Sequence, residues 1–372
     1  MKIGVPTEIK PQEYRVAMTP SDVRSYASRG HTVTIQAGAG VEAGFADEAY
    51  RDAGAAIDAD RDRLFAESKM IVKVKEPQAE EIALLRDGQI LFTYLHLAAD
   101  RALTEELLAC GVRSVAYETI ETDNGRLPCL TPMSEIAGRL AVQEGAKYLE
   151  KPFGGRGILL GGVPGIPRAN VAILGGGVVG TNACKIAVGM GAAVTVLDID
   201  AGRMAHLDDL FDMRITTLYS TEANIDHVVA DSDLIIGAVL RHGAKAPRLI
   251  RREHLGRMRA GAVLVDVAVD QGGCFETTRP TTHADPVYLV DGIVHYAVAN
   301  MPGAVALSST QALTSTTLPY GLLLAEHGLA GACRQSPALA RGVNTYDGRC
   351  TCPGVAATFA LPLTPISELL EG

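Results

Sequence analysis

The sequence predicts an α/β protein built on two doubly wound parallel sheets, and three observations carry that expectation. Short β-rich apolar runs alternate with helix-length stretches in the first third of the chain, and the alternation restarts after residue 170. One long helical segment, "PMSEIAGRLAVQEGAKYLEK" at 132–151, separates the two series. The length of 372 residues suits two domains of ~100 to 200 residues each.

In the first series the strands are "KIGVP" (2–6), "TVTIQAG" (32–38), "MIVKVK" (70–75), "QILFTYL" (89–95) and "VRSVAYE" (112–118). Helices are expected after Thr19-Pro20, near 47–54, near 78–86 and from Asp100. The second series holds "NVAIL" (170–174), "AAVTVLDID" (192–200), "RITTLYS" (214–220), "DLIIGAVL" (233–240) and "GAVLVDVAV" (261–269), each pair separated by a helix-length interval. From about Leu307 a further helix runs through "TLPYGLLLAEHG", and the few residues after it are too short for a third core. The chain is therefore expected to return to the first domain. This gives a discontinuous domain of 1–129 plus 308–372 and a second of 130–307, with a cleft between them.

Composition narrows the function. Hydrophobic residues make up 47% and charged residues 21% of the chain, which argues for a folded globule. With 34 Lys plus Arg against 43 Asp plus Glu, a net charge of −9 and no Trp, the chain lacks the basic, ring-bearing surface that nucleic acid requires. No apolar run reaches the ~18 residues of a membrane span, and "MKIGVPTEIK" has no signal-peptide core, so no membrane partner and a cytoplasmic location are expected. Seven cysteines, an odd number, speak against a disulfide framework. Cys350-x-Cys352 has the wrong spacing for a zinc knuckle and is expected in a surface loop.

"AILGGGVVG" (172–180) carries the sharpest signal. Gly175, Gly177 and Gly180 form G-x-G-x-x-G between a strand and a helix. The first permits a tight turn, the second lets a pyrophosphate approach the backbone, and the third allows close packing of helix on strand. The helix N-terminus then offers its unpaired N–H groups to the anion. Asp198 ends the next strand and can accept from the ribose hydroxyls, where a 2′-phosphate would meet a like charge. NAD is thus favoured over NADP, with Arg203 the one nearby group able to serve a phosphate. These features make the second domain Rossmann-like.

Arg15 lies in a loop ten residues past the first strand, Lys75 ends "MIVKVK" and His96 ends "QILFTYLH", all at the carboxyl edge of the first sheet, where open α/β sheets bind ligands. Two fixed cations with a titratable imidazole suit an anionic substrate and proton transfer. Asp270 follows the last strand of the second sheet, just before "QGG"; Asp266, inside that strand, reads as a hydrogen-bonded structural acid.

Seven blocks along nearly the whole chain resemble the alanine dehydrogenase family, whose relatives include the NAD-binding component of transhydrogenase. They are "GVPTEIKPQEYRVAMTP", "VKVKEP", "YLHLAAD", "PMSEIAGRLAVQEGA", "GGRGILLGGVPG", "DVAVDQGGCFETTRPTTHADP" and "HYAVANMPGAVALSST". The resemblance implies two Rossmann-like domains joined by long helices, and NAD-dependent oxidative deamination of L-alanine to pyruvate and ammonium with its reverse, in a homohexamer. It implies that Arg15 binds the substrate carboxylate and that Lys75 pairs with that carboxylate or the keto oxygen, with Met133 and Asn300 beside the substrate. His96 is implied as general acid/base and Asp270 as the group that orients water and relays protons. On the cofactor side it implies Ser134, Gly175, Gly177, Val178, Val179, Gly180, Asp198, Arg203, Ser220, Val239, Leu240, Val267, Arg279, Val298 and Met301. Some relatives hold a metal through the residue matching His327 and an acid one turn earlier; Leu323 stands there in this chain, so no metal is expected. Thr7 and Cys352 also depart from the family's usual lysine and histidine. The alternatives are a transhydrogenase component, a dehydrogenase for a related small L-amino acid, and a binding regulator with a dead site.

Overall fold

The computed structural model describes residues 1–239 and 246–370. The chain divides into two compact units, 1–133 with 303–372 and 134–302. The boundaries fall inside the helix Thr131–Tyr148 and the 3-10 turn Met301–Val305.

The first unit is organised by apolar β-rich runs too short to be buried by anything but a central sheet position. Its strands are β1 (Lys2–Val5), β2 (Thr32–Gln36), β3 (Ala56–Asp58), β4 (Met70–Val72), β5 (Ile90–Thr93) and β6 (Arg113–Ala116). They lie in the order β3-β2-β1-β4-β5-β6, all parallel, so the winding reverses between β1 and β4. Ligands of such sheets bind beyond the carboxyl ends of the strands at this reversal. Gly4 lets the helix Arg61–Glu67 lie close on β1, since a Cβ there would come within 2.4 Å of Ser68 Oγ and 2.6 Å of Leu64 Cδ2.

Strands β7 (Asn170–Leu174), β8 (Ala193–Asp198), β9 (Thr216–Tyr219), β10 (Leu234–Gly237), β11 (Val263–Asp266), β12 (Val287–Val290) and β13 (Ile293–Tyr296) build the second unit in the order β9-β8-β7-β10-β11-β13-β12. The first six repeat the winding of the first sheet, with their reversal between β7 and β10. The edge strand β12 is antiparallel to β13. The helix Val178–Gly189 follows β7. Helix Thr131–Tyr148 approaches it closely at Gly138, where a Cβ would lie 2.2 Å from the Val179 carbonyl oxygen.

Both sheets therefore match the expected fold class, with local departures. The sequence reading missed β3, the helix Arg61–Glu67 and the β12–β13 hairpin. The returning C-terminal segment does more than pack: β14 (Val343–Tyr346) and β15 (Arg349–Cys350) extend the first sheet antiparallel from β6. This corrects the surface loop expected at Cys350-x-Cys352. Both thiols are buried in a cluster with Leu97, Leu103 and Val355, because Cys350 is a strand residue and Cys352 opens the helix Pro353–Phe359.

A charged cluster sits in the core of the first unit. The Lys73 ammonium, fully enclosed, reaches Glu81 Oε1 at 2.7 Å and Glu8 Oε2 at 3.2 Å. Glu8 also accepts from the Val74 N–H at 2.6 Å and the Lys75 N–H at 3.3 Å, which fastens the chain leaving β4. Burial raises the Glu8 carboxyl above its ordinary value, against the lowering by Lys73. Lys73→Met leaves two enclosed carboxylates without a cation, and its expected loss of about 3 to 5 kcal/mol at neutral pH is measurable by urea unfolding. Without the cation the folded-state Glu8 carboxyl, already raised by burial, titrates further above its unfolded value. The variant's deficit is thus expected to shrink below the ordinary carboxylate range and to be fully expressed once the pH has risen through the folded value.

Candidate active site

Arg15 leaves β1 on the loop that precedes the helix Pro20–Ala27, and its guanidinium is 3% exposed. A buried guanidinium keeps its charge and needs a matching anion. Glu13, two residues away and equally enclosed, supplies it: Arg15 Nε–H donates to Glu13 Oε1 at 2.6 Å and an Nη2–H to Glu13 Oε2 at 2.5 Å. Burial alone would lower the arginine's pKa, and Glu13 more than offsets this. The second terminal nitrogen lies 3.0 Å from Met133 Sδ. Lys75, close enough to feel Arg15, is held below the usual lysine range by burial first and by that positive charge second. Two cations at one switch point, one of them held by a carboxylate, have the charge and the donors to receive an anion.

His96 lies three residues beyond the end of β5 rather than ending the strand as expected. Its backbone is left-handed, with φ 51 and ψ 35, a conformation uncommon for residues with a Cβ and one in which histidine is among the better-tolerated types. Glu118 stabilises this turn by accepting from the His96 N–H at 2.6 Å and from the Leu95 N–H at 3.2 Å. The imidazole is half-exposed and stacks on Tyr94, with ring centroids 5.7 Å apart and planes 4° from parallel. Tyr94 is itself fixed by its hydroxyl, which donates to the Cys129 carbonyl at 2.5 Å. The imidazole is thus presented on a rigid ring.

In the second unit the glycine loop takes the shape its spacing implied. Gly175 has φ 102, and a Cβ on Gly180 would fall 1.8 Å from the Gly175 carbonyl oxygen. Gly177 precedes the helix without a side-chain cap, and open space lies where its Cβ would be. Uncapped helix N–H groups facing open space fit a phosphate. Asp198 closes the back of the loop: Oδ2 accepts from the Gly176 N–H at 2.6 Å, and Oδ1 from the Ile199 and Asp200 N–H groups at 2.7 and 3.0 Å. Around it gather Val239, Ser220, whose N–H donates to the Asp198 carbonyl at 2.9 Å, and Arg203, exposed on the next helix. Val178 is exposed and Val179 half-buried at the start of the helix. Leu240 lies outside the described residues.

The other expected positions lie on the far half of this sheet. Val267 follows β11, and Asp270 stands exposed in the 3-10 turn Val269–Gln271, beyond a strand that ends at Asp266 rather than at Val269. Arg279 is exposed over the Tyr288 ring. Val298 is buried and bridges to Thr281, Asn300 has φ 64, and Met301 is buried at the start of its turn. Ser134 is half-buried in the helix Thr131–Tyr148. Among the described residues, no three His, Cys, Asp or Glu side chains converge as metal ligands. Also among them, no helix is long and apolar enough to cross a membrane.

Two family models cover this chain: "Alanine dehydrogenase/PNT, N-terminal domain" matches residues 4–137 and "Alanine dehydrogenase/PNT, C-terminal domain" matches 141–353. The chain belongs to the alanine dehydrogenase/PNT family. It is 55% identical to an alanine dehydrogenase of Halomonas elongata and 53% identical to one of Geobacillus stearothermophilus, with 100% of each chain covered in both cases. Among solved structures it is similar to an L-alanine dehydrogenase, with a TM-score of 0.94 at 53% identity over 97% of this chain and 99% of that one. A transhydrogenase from Sinorhizobium meliloti shares the fold, with a TM-score of 0.80 at 23% identity over 95% and 99% of the two chains.

Within this family's frame, three positioning groups escaped the sequence reading: Glu13, Glu118 and Tyr94. Glu13 was visible as an acid two residues from Arg15, while Glu118 and Tyr94 lie inside or just beyond strands, where nothing local distinguishes them from core residues. Glu13→Gln removes the charge that matches Arg15 and is expected to lower stability by about 3 to 5 kcal/mol, read as a fall in the urea midpoint at unchanged slope.

Proposed function

We propose that this chain is an NAD-dependent L-alanine dehydrogenase, converting L-alanine to pyruvate, ammonium and reduced cofactor and running the reverse amination. The observation that carries the reading is the pair of cations at the switch point of the first sheet, the buried Arg15 and the half-buried Lys75, in a unit that also presents His96 on a fixed ring. That set suits a small amino-acid carboxylate beside a group able to move protons. The full-length similarity to alanine dehydrogenases supports the same substrate.

The residues after β7 fit a dinucleotide, as the open face of Gly177 and the uncapped helix indicate. Gly175, Gly177, Val178, Val179 and Gly180 would hold its phosphates, with Asp198, Arg203, Ser220 and Val239 on the adenosine side. Ser134, Val267, Arg279, Val298 and Met301 complete the cofactor set. When bound, the nicotinamide supplies the acceptor for the α-hydrogen and its electron pair. NAD is preferred to NADP because Asp198 keeps an uncompensated carboxylate where a 2′-phosphate would lie. With three backbone donors already on its two oxygens, it retains room for a ribose hydroxyl.

The remaining chemistry belongs to the chain. Arg15 binds the carboxylate and Lys75 pairs with it or with the keto oxygen, while Met133 and Asn300 line the substrate. His96 accepts a proton from the substrate ammonium, since the amine must be neutral before the α-hydrogen can leave. Asp270 orients a water against the resulting iminium carbon. Having passed the first proton to solvent, His96 takes the proton that this water gives up and returns it to the amine of the resulting carbinolamine; ammonia then departs and takes the adduct's hydroxyl proton, so that pyruvate and ammonium are released. A hexameric assembly in the cytoplasm completes the reading. It is supported by the resemblance to the family and by seven unpaired thiols.

His96→Asn, which tolerates the left-handed backbone, and Asp270→Asn are each expected to lower kcat for alanine oxidation by about 10²- to 10⁴-fold, with NADH binding within about threefold of the parent. Unchanged reduction of NAD by alanine in both variants would remove the assigned proton chemistry. Asp198→Ala is expected to raise the ratio of NADP to NAD use by about tenfold or more in initial-rate assays, with the alanine KM unaltered.

A further inference from the structure

From the end of β11 to Arg279 the chain closes a loop around one carboxylate. Asp266 is 1% exposed. Its Oδ1 accepts from the Ala268 N–H at 3.1 Å. Its Oδ2 accepts from the N–H groups of Cys274 at 2.9 Å and Phe275 at 3.4 Å, and from the Thr278 hydroxyl at 2.5 Å. Between these donors the chain makes the turn that carries Asp270 and reverses through Gly272 and Gly273, at φ 90 and 77. A Cβ on Gly273 would come within 2.7 Å of Asp266 Oδ2, so the reversal closes directly onto the carboxylate.

The loop's far end is fixed from the same place. Arg279 follows Thr278; its N–H donates to the Tyr288 hydroxyl at 2.9 Å, and its guanidinium carbon lies 4.1 Å from that ring's centroid. The Tyr288 hydroxyl donates to the Thr277 carbonyl at 2.9 Å. The Thr277 hydroxyl reaches His295 Nε2 at 2.7 Å, and His295 Nδ1 reaches the Ile293 carbonyl at 3.1 Å. Because a carbonyl only accepts, His295 carries its proton on Nδ1 and takes the Thr277 hydrogen on Nε2, a neutral ring that its burial favours.

We propose that Asp266 is a positioning residue that holds Asp270 and Arg279 in one closed loop, so that a single buried carboxylate sets both the water-orienting acid and the cofactor-side cation. The inference rests on the roles given to those two residues under the proposed function. Packing alone does not account for Asp266. Burial raises its carboxyl to about 6 despite four hydrogen bonds that lower it, so the ionised form carries a desolvation penalty that an apolar residue would avoid. What an apolar residue cannot do is accept from four donors at four chain positions.

The test uses the full chain with Asp266→Asn, Thr278→Val and Thr278→Ser. Loss of one charged hydrogen bond in Thr278→Val is expected to lower kcat for alanine oxidation about tenfold and weaken NADH binding, read by its fluorescence, about threefold. The alanine KM is expected within about twofold and the thermal midpoint within a few degrees. Thr278→Ser should restore both losses, and Asp266→Asn should exceed them. A lowered thermal midpoint with kcat and NADH affinity unchanged, in both Thr278→Val and Asp266→Asn, would make Asp266 a core residue only and overturn the proposal. Losses that serine does not rescue would overturn it too. Failure of the parent chain to reduce NAD with alanine counts against the proposed function instead, and the NADH-binding measurements then decide the positioning role.

Discussion

A guanidinium removed from water must meet a carboxylate, and in this chain the carboxylate comes from two residues earlier on the same loop. The Arg15–Glu13 pair makes the rest of the first unit's chemistry possible. Because Glu13 grips the guanidinium through Nε and one terminal nitrogen, the arginine stays charged in an enclosed place and its orientation is fixed before any ligand arrives. The same physics recurs at Lys73, matched by Glu8 and Glu81, and the two clusters flank the reversal between β1 and β4. In both clusters the buried cation is matched by anions already present in the protein.

The second unit works by the opposite device, with backbone in place of charge. Its helix end is left without a side-chain cap and Gly177 faces open space, so the N–H groups there can offer an anion what lysine and arginine offer in the first unit. Two carboxylates of this unit are tied to the main chain: Asp198 to three amides, Asp266 to three amides and a hydroxyl. Anchored this way, an acid becomes part of the scaffold, which separates Asp266 from the exposed Asp270 four residues later.

How much of this could be read from sequence depended on whether the signal was local. The parallel windings, the glycine loop and the cations at strand ends were legible because each is written in adjacent residues. β12–β13 was also legible in retrospect, since Asp291-Gly292 between apolar runs marks a two-residue hairpin, and both residues have positive φ. The C-terminal strands were not, because β14 finds its partner β6 more than two hundred residues away. Glu118 was hidden for a similar reason: its role depends on a left-handed turn at His96, on a different strand end.

The glycine fingerprint itself divides in two. Gly175 answers to its own positive φ and Gly180 to the Gly175 carbonyl; both would be demanded by the loop whether or not a dinucleotide ever bound. Gly177 alone faces open space, so it alone is answerable to a ligand. A descendant that lost its cofactor would therefore be expected to keep the first and third glycines for architectural reasons and to drift first at the second. For inherited pseudoenzymes of this architecture, that middle position is the more informative witness to binding than the motif as a whole.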